Sequence, residues 1–239
     1  PPLGSGAYRI KNFEAGRSIS YERVKNYWAA DLPVNKGQSN FDEISYEYYR
    51  DRDVATEAFK SGAFDLRAEN QSKRWATAYD FPALKEGKVK KILIPHERPT
   101  GMQGFVFNTR KNFFSDPKVR LAINYAWDFE WTNKTLMYNA YKRTNSYFSN
   151  SELSSSGRLP DGEELKILQK FKGQVPKQVF DEVYKAPQTD GSGNNRKNLR
   201  LALKLLREAG WAVKDGKLVN RNGIPLKFEL LIAYPSIER

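Results

Sequence analysis

Cysteine is absent from this sequence of 239 residues, and histidine occurs once, as His96. The lack of cysteine excludes a disulfide framework, a thiolate metal site and a thiol nucleophile. A single histidine excludes a His-rich zinc site. A Ser-His-Asp triad would have to use His96, but no nucleophile-elbow sequence accompanies it, so we interpret His96 as a surface residue of a loop. We therefore predict neither a metal site nor a cofactor.

Long apolar runs are also missing. The longest clean one lies near Leu230–Ala233, whereas a membrane-spanning helix needs roughly 18 apolar residues. We predict that the chain does not itself span a membrane, although its hydrophobic content of 39% is sufficient for a substantial core. The opening PPLGSGAYRI has neither the basic nor the apolar segment of a signal peptide and no initiator methionine, so we interpret the chain as a processed piece of a longer protein.

Positive charge is in excess. The formal net charge is +12, and most of the excess lies beyond residue 95, which suggests an acidic partner or a generally basic surface. The densest basic stretch, NNRKNLRLALKLLREAG, predicts an amphipathic helix that buries Leu199, Leu203 and Leu206 and ends at Gly210. The cations of such a helix usually form a solvated face, and we favour that interpretation over a nucleic-acid-binding stripe.

The stretch FVFNTRKNFFSDPKVRLAINYAWD predicts a strand followed by a helix. Phe105 to Thr109 alternate as in a strand that ends at Asn108 or Thr109. Asp116 and Pro117 then provide an N-cap and a first helical residue. The apolar face of the predicted helix is made of Val119, Ala122, Ile123, Ala126 and Trp127. Together these patterns indicate an α/β unit.

Patterns elsewhere predict further strands and helices. The predicted strands are 7–10, 18–24, 41–49, 62–67 and 88–94, the first two joined by a turn at Gly16. The predicted helices are 54–61 capped by Asp53, 71–79, 132–141 and 161–171 capped by Asp161. Residues 185–198 are rich in Gly, Asn and Ser and predict a linker. The sequence NRNG predicts the turn of a hairpin between LVN and IPLKFELLIAY.

Six separated stretches, in this order and spacing, resemble one protein family. They are GSGAYRI, YERVKNYW, AFKSGAFDLR, GFVFNTRKNFFSDPKVRLAINYAWD, LLREAGW and PLKFELL. The sequence resembles the extracellular solute-binding proteins of the oligopeptide and dipeptide class, family 5. Within that family, the stretches RVKNYWAADLPVNKGQSNFDEISYEYYRD, WDFEW and YKRTNSYFSNSEL are similar to the Yej-type branch, which is associated with oligopeptides and the peptide-nucleotide microcin C.

The resemblance implies an incomplete piece of the two-lobed α/β fold of periplasmic binding proteins (type II, cluster C). Residues 1–95 would be part of the first lobe (domain I) and residues 96–239 an incomplete second lobe (domain III), with Pro95 and Pro99 at a hinge crossing. Apolar surface would be exposed where absent strands would pack, and dimerisation could follow.

The resemblance also implies a function. The protein would be a non-enzymatic periplasmic component that delivers oligopeptides or peptide-like compounds to an inner-membrane ABC permease and its ATPase subunits. No nucleic acid would be a partner, and any signal peptide would lie outside this chain.

The stretch GMQGFVFN has features that peptide binding needs. Gly101 and Gly104 allow close backbone approach, and the polar and apolar side chains between and after them can contact varied ligands. The predicted ligand contacts are Met102, Gln103, Phe105, Asn108, Ser146 and Tyr147. The alternative for each is a role in the core or in a turn.

Two other functions are weighed. A basic nucleic-acid-binding module is suggested by the net charge and by 13% aromatic content, but no recognition motif supports it. A carbohydrate-active enzyme is suggested by Glu43, Glu47, Asp51 and Asp53, but their spacing indicates no paired acid and base. The glycines of GSGAY precede a predicted strand rather than a helix, so they indicate a tight turn and not a phosphate-binding loop.

Overall fold

A computed structural model describes residues 3–155 and 157–232 of the chain. The chain divides into two compact units. The first unit runs to Glu69 and adds Asp80–Val89, and the second comprises Asn70–Tyr79 and the chain from Lys90 onward. The assignment of 1–95 and 96–239 to two lobes stays a prediction.

The described residues contain both strands and helices. The strands are β1 (Tyr8–Glu14), β2 (Ser18–Arg23), β3 (Glu43–Glu47), β4 (Trp211–Lys214) and β5 (Lys217–Asn220). The helices are α1 (Arg52–Lys60), α2 (Ser72–Thr77), α3 (Pro82–Lys85), α4 (Asn112–Ser115), α5 (Pro117–Ala126), α6 (Phe129–Leu136), α7 (Gly162–Gln169), α8 (Gln178–Asp181) and α9 (Arg196–Glu208). No helix in the described ranges is both long and apolar enough to cross a membrane.

The first unit is built on an antiparallel sheet in the order β1-β2-β3, with Tyr21 opposite both Ile10 and Ile44. The predicted hairpin is confirmed, since β1 and β2 pair antiparallel. Its turn contains Gly16 at a φ of 75°, which glycine adopts without strain. Apolar side chains alternate onto one face of the sheet, where an open cavity of about 350 Å³ is lined by Tyr8, Tyr21, Ile44, Tyr46 and Tyr48.

The first helix begins earlier than predicted. Its cap is Asp51, not Asp53, because Asp51 has extended backbone and its carboxylate accepts hydrogen bonds from the N–H groups of Asp53 and Val54, at 2.7 and 3.0 Å. Asp53 lies instead in the first turn, where its negative charge is favourable near the helix N-terminus.

Three predicted strands, 62–67, 88–94 and 105–109, are wrong, since these segments are irregular. A strand needs a neighbour that satisfies its backbone N–H and C=O groups. No described residue pairs with these segments in a β-ladder. Phe64 packs instead against Phe59 and Tyr49, with ring centroids 5.5 and 5.9 Å apart.

The core of the second unit lies between α5 and α9. Its buried side chains are Phe114, Val119, Ala122, Ala202, Leu206 and Trp211, and Val119 is fully buried. The predicted start of α5 is confirmed: Pro117 is the first helical residue, and the Asp116 carboxylate accepts a hydrogen bond from the N–H of Lys118 at 2.8 Å. An ion pair of 3.0 Å between Lys118 and Glu208 joins the two helices at their surface.

The buried face of α9 differs from the prediction. Leu206 is buried, but Leu199 and Leu203 are 43% and 39% exposed, and the inward positions are taken by Asn198 and Ala202. The small side chain of Ala202 lets α9 approach α5 closely, so the inward face is set by helix packing rather than by the largest apolar residues. Gly210 follows the helix at a φ of 84°, as predicted for a residue beyond a C-terminus.

The last hairpin is formed by β4 and β5 and not by the segments flanking NRNG. Asp215 and Gly216 have φ values of 51° and 73°, as the tight turns of two-residue hairpins require. NRNG does form a turn, in which the Asn220 side chain accepts a hydrogen bond from the N–H of Ile224 at 2.9 Å. Its predicted second strand is limited to a bridge between Val219 and Pro225. Residues 233 and 234 of that prediction lie outside the described residues.

Other helix boundaries also shift. Helix α2 is shorter than 71–79, and α6 ends at Leu136 because Tyr138 and Asn139 take positive φ values of 54° and 57°. Helix α7 ends at Gln169. Asp161 lies at its N-cap position, but its side chain makes no capping hydrogen bond.

The contributions of Asp116, the cap of α5, and Asp161, at the cap position of α7, to stability can be compared. Replacing Asp116 by alanine is expected to lower the free energy of unfolding by about 1 kcal/mol, because the N–H of Lys118 loses its acceptor. Asp161→Ala is the matched control, since the same substitution there removes no capping hydrogen bond. Urea denaturation of both variants tests this, and equal losses would contradict it.

Candidate ligand-binding surface

Two segments of the second unit that contain the predicted ligand contacts lie side by side. The N–H of Thr100 donates to the carbonyl of Ser149 at 2.9 Å. The side chain of Asn150 donates to the hydroxyl of Thr100 at 2.9 Å and to the carbonyl of Arg98 at 3.4 Å. The structure thus joins residues 97–108 to residues 143–155, which are separated in sequence.

The first of these segments is largely exposed. Met102 is 42% exposed and Phe105 64% exposed, and Gln103 is exposed as well. Phe107 is less exposed and packs on Phe114 of the core, with ring centroids 5.0 Å apart. The core therefore anchors one side of the segment while Met102, Gln103 and Phe105 remain accessible.

The remaining predicted contacts have different surroundings. The Asn108 side chain accepts hydrogen bonds from the N–H and from Nε of Arg110, both at 3.2 Å, which holds a turn. Ser146 is only 6% exposed, and its hydroxyl accepts from the N–H of Phe148 at 3.2 Å and of Ser155 at 3.4 Å. Tyr147 is 74% exposed. As ligand contacts, all six residues remain predictions.

An aromatic and cationic cluster beside this surface was missed by the sequence reasoning. The Arg143 guanidinium carbon lies 4.8 Å from the ring centroid of Trp127 and 5.3 Å from that of Phe129. These two rings are nearly perpendicular, with an interplanar angle of 85°. The ring of Phe105 packs edge-on against Trp127, with centroids 6.3 Å apart. We call Trp127, Phe129 and Arg143 the arginine platform.

The break between α5 and α6 builds the platform. Helix α5 ends at Ala126, and Trp127 has an extended ψ of 119°, so Trp127 and Asp128 form the connection and Phe129 begins α6. The indole N–H of Trp127 donates to the hydroxyl of Thr132 at 3.3 Å, which orients the ring. The only sequence signal was two aromatic residues beside an aspartate, since no local pattern connects them to Arg143.

The predicted linker 185–198 is wrong, because this segment packs closely on α6 and begins α9. Thr189 donates its N–H to Glu130 at 3.0 Å and its hydroxyl to Asp128 at 2.5 Å. The N–H of Ala186 donates to the Asn145 side chain at 3.0 Å. Small polar residues therefore supply hydrogen bonds here rather than flexibility. We call residues 186–195 the docked loop.

The docked loop also contains Asp190, whose carboxyl has a shifted pKa. The hydroxyl of Ser192, followed by its backbone N–H, lowers the pKa of the Asp190 carboxyl below its ordinary value. The stability that this contact contributes is therefore present at neutral pH and is lost as the pH falls through the lowered pKa.

A second, polar feature lies at the other end of the surface. Glu97, Asn150, Ser151, Glu152 and Ser154 line an open cavity of about 530 Å³. Within the described ranges no three His, Cys, Asp or Glu side chains are close enough together to hold a metal ion. His96 accepts a hydrogen bond from the N–H of Arg98 at 3.3 Å and is exposed, as predicted for a loop residue.

The carboxylates considered for an enzyme have structural contacts instead. Glu43 pairs with Lys11 at 2.6 Å, and Asp51 caps α1. Glu43 is thus paired with a cation, and Asp51 is bonded to backbone N–H groups.

Comparison with known proteins gives a consistent result. The family model described as "Bacterial extracellular solute-binding proteins, family 5 Middle" matches residues 1–237. Over its full length the chain is 48% identical to "Probable peptide-binding protein YejA" and 41% identical to "Peptidoglycan-binding protein YepA", both of Agrobacterium fabrum. It spans 39% and 40% of their lengths, so it corresponds to less than half of either relative.

Solved structures agree on the fold. The crystal structure of NikA from Brucella suis, in complex with Fe(III)-EDTA, aligns with 93% of this chain and 36% of its own, at a TM-score of 0.60 and 21% identity. At that identity the likeness concerns the fold alone, and it confirms the predicted periplasmic-binding-protein-like α/β fold as part of a larger molecule. Because the family model covers nearly all of it, this chain belongs to the bacterial extracellular solute-binding proteins of family 5.

Proposed function

We propose that this chain is part of the periplasmic substrate-binding component of an ABC importer for oligopeptides or peptide-like compounds. The observation that carries the proposal is the full-length match to family 5, together with 48% identity to a relative named as a probable peptide-binding protein. The protein would act by binding its ligand, not by catalysis, and would deliver it to an inner-membrane permease and its ATPase subunits.

The exposed surface of residues 101–108 is suited to such a ligand. An extended peptide is recognised through its backbone groups and through roomy apolar contacts that accept varied side chains. The irregular backbone of this segment offers N–H and C=O groups, and Met102 and Phe105 offer apolar surface beside them. Tyr147 adds a third exposed apolar side chain on the adjoining segment.

Two ligand classes can be separated by experiment. The name of the 41% identical relative refers to peptidoglycan, whose fragments carry short peptides joined to sugars. Native mass spectrometry of the protein, purified at its natural full length without denaturation, would identify any bound molecule. Short peptide masses would support oligopeptides, and sugar-peptide masses would support peptide-like compounds. Bound oligonucleotides, or failure to bind any added peptide, would contradict the proposal.

Phe105 provides the residue-level test. Phe105→Ala is expected to weaken peptide binding by about tenfold, because a partly exposed ring loses the apolar surface that a ligand would cover. Phe13→Ala is the matched control, since Phe13 is 70% exposed but belongs to β1 of the first unit. Isothermal titration calorimetry with the peptide found by mass spectrometry measures both variants, and unchanged affinity in Phe105→Ala would remove Phe105 from the site.

A further inference from the structure

In the part of the chain that the structure describes, the charge of Arg143 has no ion-pair partner. Its Nη2 donates to the Asn124 side-chain oxygen at 2.5 Å. In residues 3–155 and 157–232, no carboxylate lies within ion-pair distance of the Arg143 guanidinium, and no other hydrogen bond to it is formed. A guanidinium has five N–H donors, so most of its donors remain available for another acceptor.

The acidic residue nearest to the platform in sequence is already engaged. Asp128 lies between Trp127 and Phe129, but its Oδ1 accepts from the N–H of Trp131 at 3.0 Å and from the hydroxyl of Thr189. The Asp128 carboxylate therefore caps α6 and holds the docked loop through Oδ1, while its Oδ2 is buried without a hydrogen-bond partner among the described residues and forms no ion pair with Arg143. A half-buried charge without a partner is unfavourable unless something else supplies the opposite charge.

The position of Arg143 is fixed from several sides. Two aromatic rings and the Asn124 oxygen contact the guanidinium, and the neighbouring Asn145 and Ser146 are held by hydrogen bonds of their own. The contacts with the two rings are not hydrogen bonds, so they do not take the place of acceptors at the guanidinium N–H groups, and an arginine can bind a carboxylate through two parallel hydrogen bonds. An arginine that is already oriented loses little conformational freedom when it binds.

We propose that Arg143 is a specificity-determining residue that binds a carboxylate of the ligand, with the ligand's apolar part against Phe105. The chemistry of the ligand, a carboxylate-bearing peptide, rests on the proposed function, whereas the anion site itself rests on the geometry of Arg143. The carboxylate can be the C-terminus of the peptide or an acidic side chain, and both present the same planar pair of oxygens.

Three peptides separate these sources. The full-length protein is titrated with Ala-Phe-Ala as the free acid, with its C-terminal amide, and with Ala-Phe-Asp amide. The free acid is expected to bind about 10- to 100-fold more tightly than the uncharged amide, because a charge-assisted pair is lost in the amide. Recovery of the affinity in Ala-Phe-Asp amide would show that a side-chain carboxylate serves equally well.

Substitution of Arg143 assigns the preference to this residue. Arg143→Gln is expected to abolish the difference between acid and amide while changing amide affinity by less than about threefold. Arg143→Lys, which keeps the charge, should fold normally and retain part of the preference. Arg200→Gln is the control for net charge, because Arg200 is an exposed cation on α9. Equal affinity of the wild type for acid and amide, or equal weakening of both in Arg143→Gln, would overturn the proposal.

A small probe keeps this test separate from the proposed function. N-acetylphenylalanine is expected to shift the Nε–H resonance of Arg143 in an NMR titration, and N-acetylphenylalanine amide is not. If the protein bound this acid but no peptide, the peptide function would fail and the carboxylate site would stand. If peptides bound and neither the acid preference nor the resonance shift were seen, the function would stand and the assignment of Arg143 would be wrong.

Discussion

Replacing Phe114 by alanine is expected to lower the free energy of unfolding of the second unit by about 3–5 kcal/mol. Phe114 is 6% exposed, and its ring lies 5.0 Å from that of Phe107, 4.6 Å from that of Phe113 and 5.1 Å from that of Phe228, measured between centroids. The substitution removes these contacts and leaves a cavity beside Val119, which is fully buried and cannot move far to fill it.

The measurement is urea denaturation followed by tryptophan fluorescence. Trp75, Trp127, Trp131 and Trp211 belong to the second unit and only Trp28 to the first, so fluorescence reports mainly on the unit that contains Phe114. Phe105→Ala is the matched control, because its ring is 64% exposed and its loss should cost less than about 1 kcal/mol. Comparable losses in the two variants would show that Phe114 is not part of a tightly packed core.

Gly193→Ala is expected to destabilise the docked loop by about 2–4 kcal/mol. Gly193 has a φ of 83°, which is unfavourable for alanine, and a Cβ at this position would lie 3.0 Å from the Trp131 ring. The ring, which lies on α6, would have to shift, or the loop would have to move away from α6. Either change affects the hydrogen bonds between Thr189 and Glu130.

Gly173→Ala separates the two contributions. Gly173 has a similar φ of 92°, but a Cβ there would meet nothing within 4 Å. We expect this control to lose only the backbone contribution, about 1–2 kcal/mol. The difference between the variants then measures the contact with Trp131, and it should shrink in a Trp131→Leu background, as a double-mutant cycle would reveal. Equal destabilisation by Gly193→Ala and Gly173→Ala would show that the loop does not pack on Trp131.

Several elements could be predicted because their causes are local. The start of α5 follows from Asp116 and Pro117, which act within one helical turn. The β1-β2 hairpin follows from alternating side chains and a glycine at the turn. Family membership could also be predicted, because six matching stretches in a fixed order are a stronger signal than any one of them.

The surface around the ligand contacts could be predicted only in part. The sequence indicated residues 101–108 and 146–147, and the structure brings their segments together through Thr100, Ser149 and Asn150. No pattern in the sequence indicated Arg143, because the guanidinium reaches Trp127 and Phe129 only after the chain has folded back from α6. A composition rich in Gly, Asn and Ser predicted a linker where the folded chain has a hydrogen-bonded loop.

By itself, the sequence determined the local ends and turns of this protein, the family to which it belongs, and the absence of any thiol chemistry. Tertiary structure alone decided which face of α9 is buried, which alternating segments fail to become strands, and that the Arg143 guanidinium has no ion-pair partner among the described residues. The physical reason is that caps and turns depend on atoms a few residues apart. Helix packing, strand pairing and the environment of a charge depend instead on residues that only the folded chain brings together.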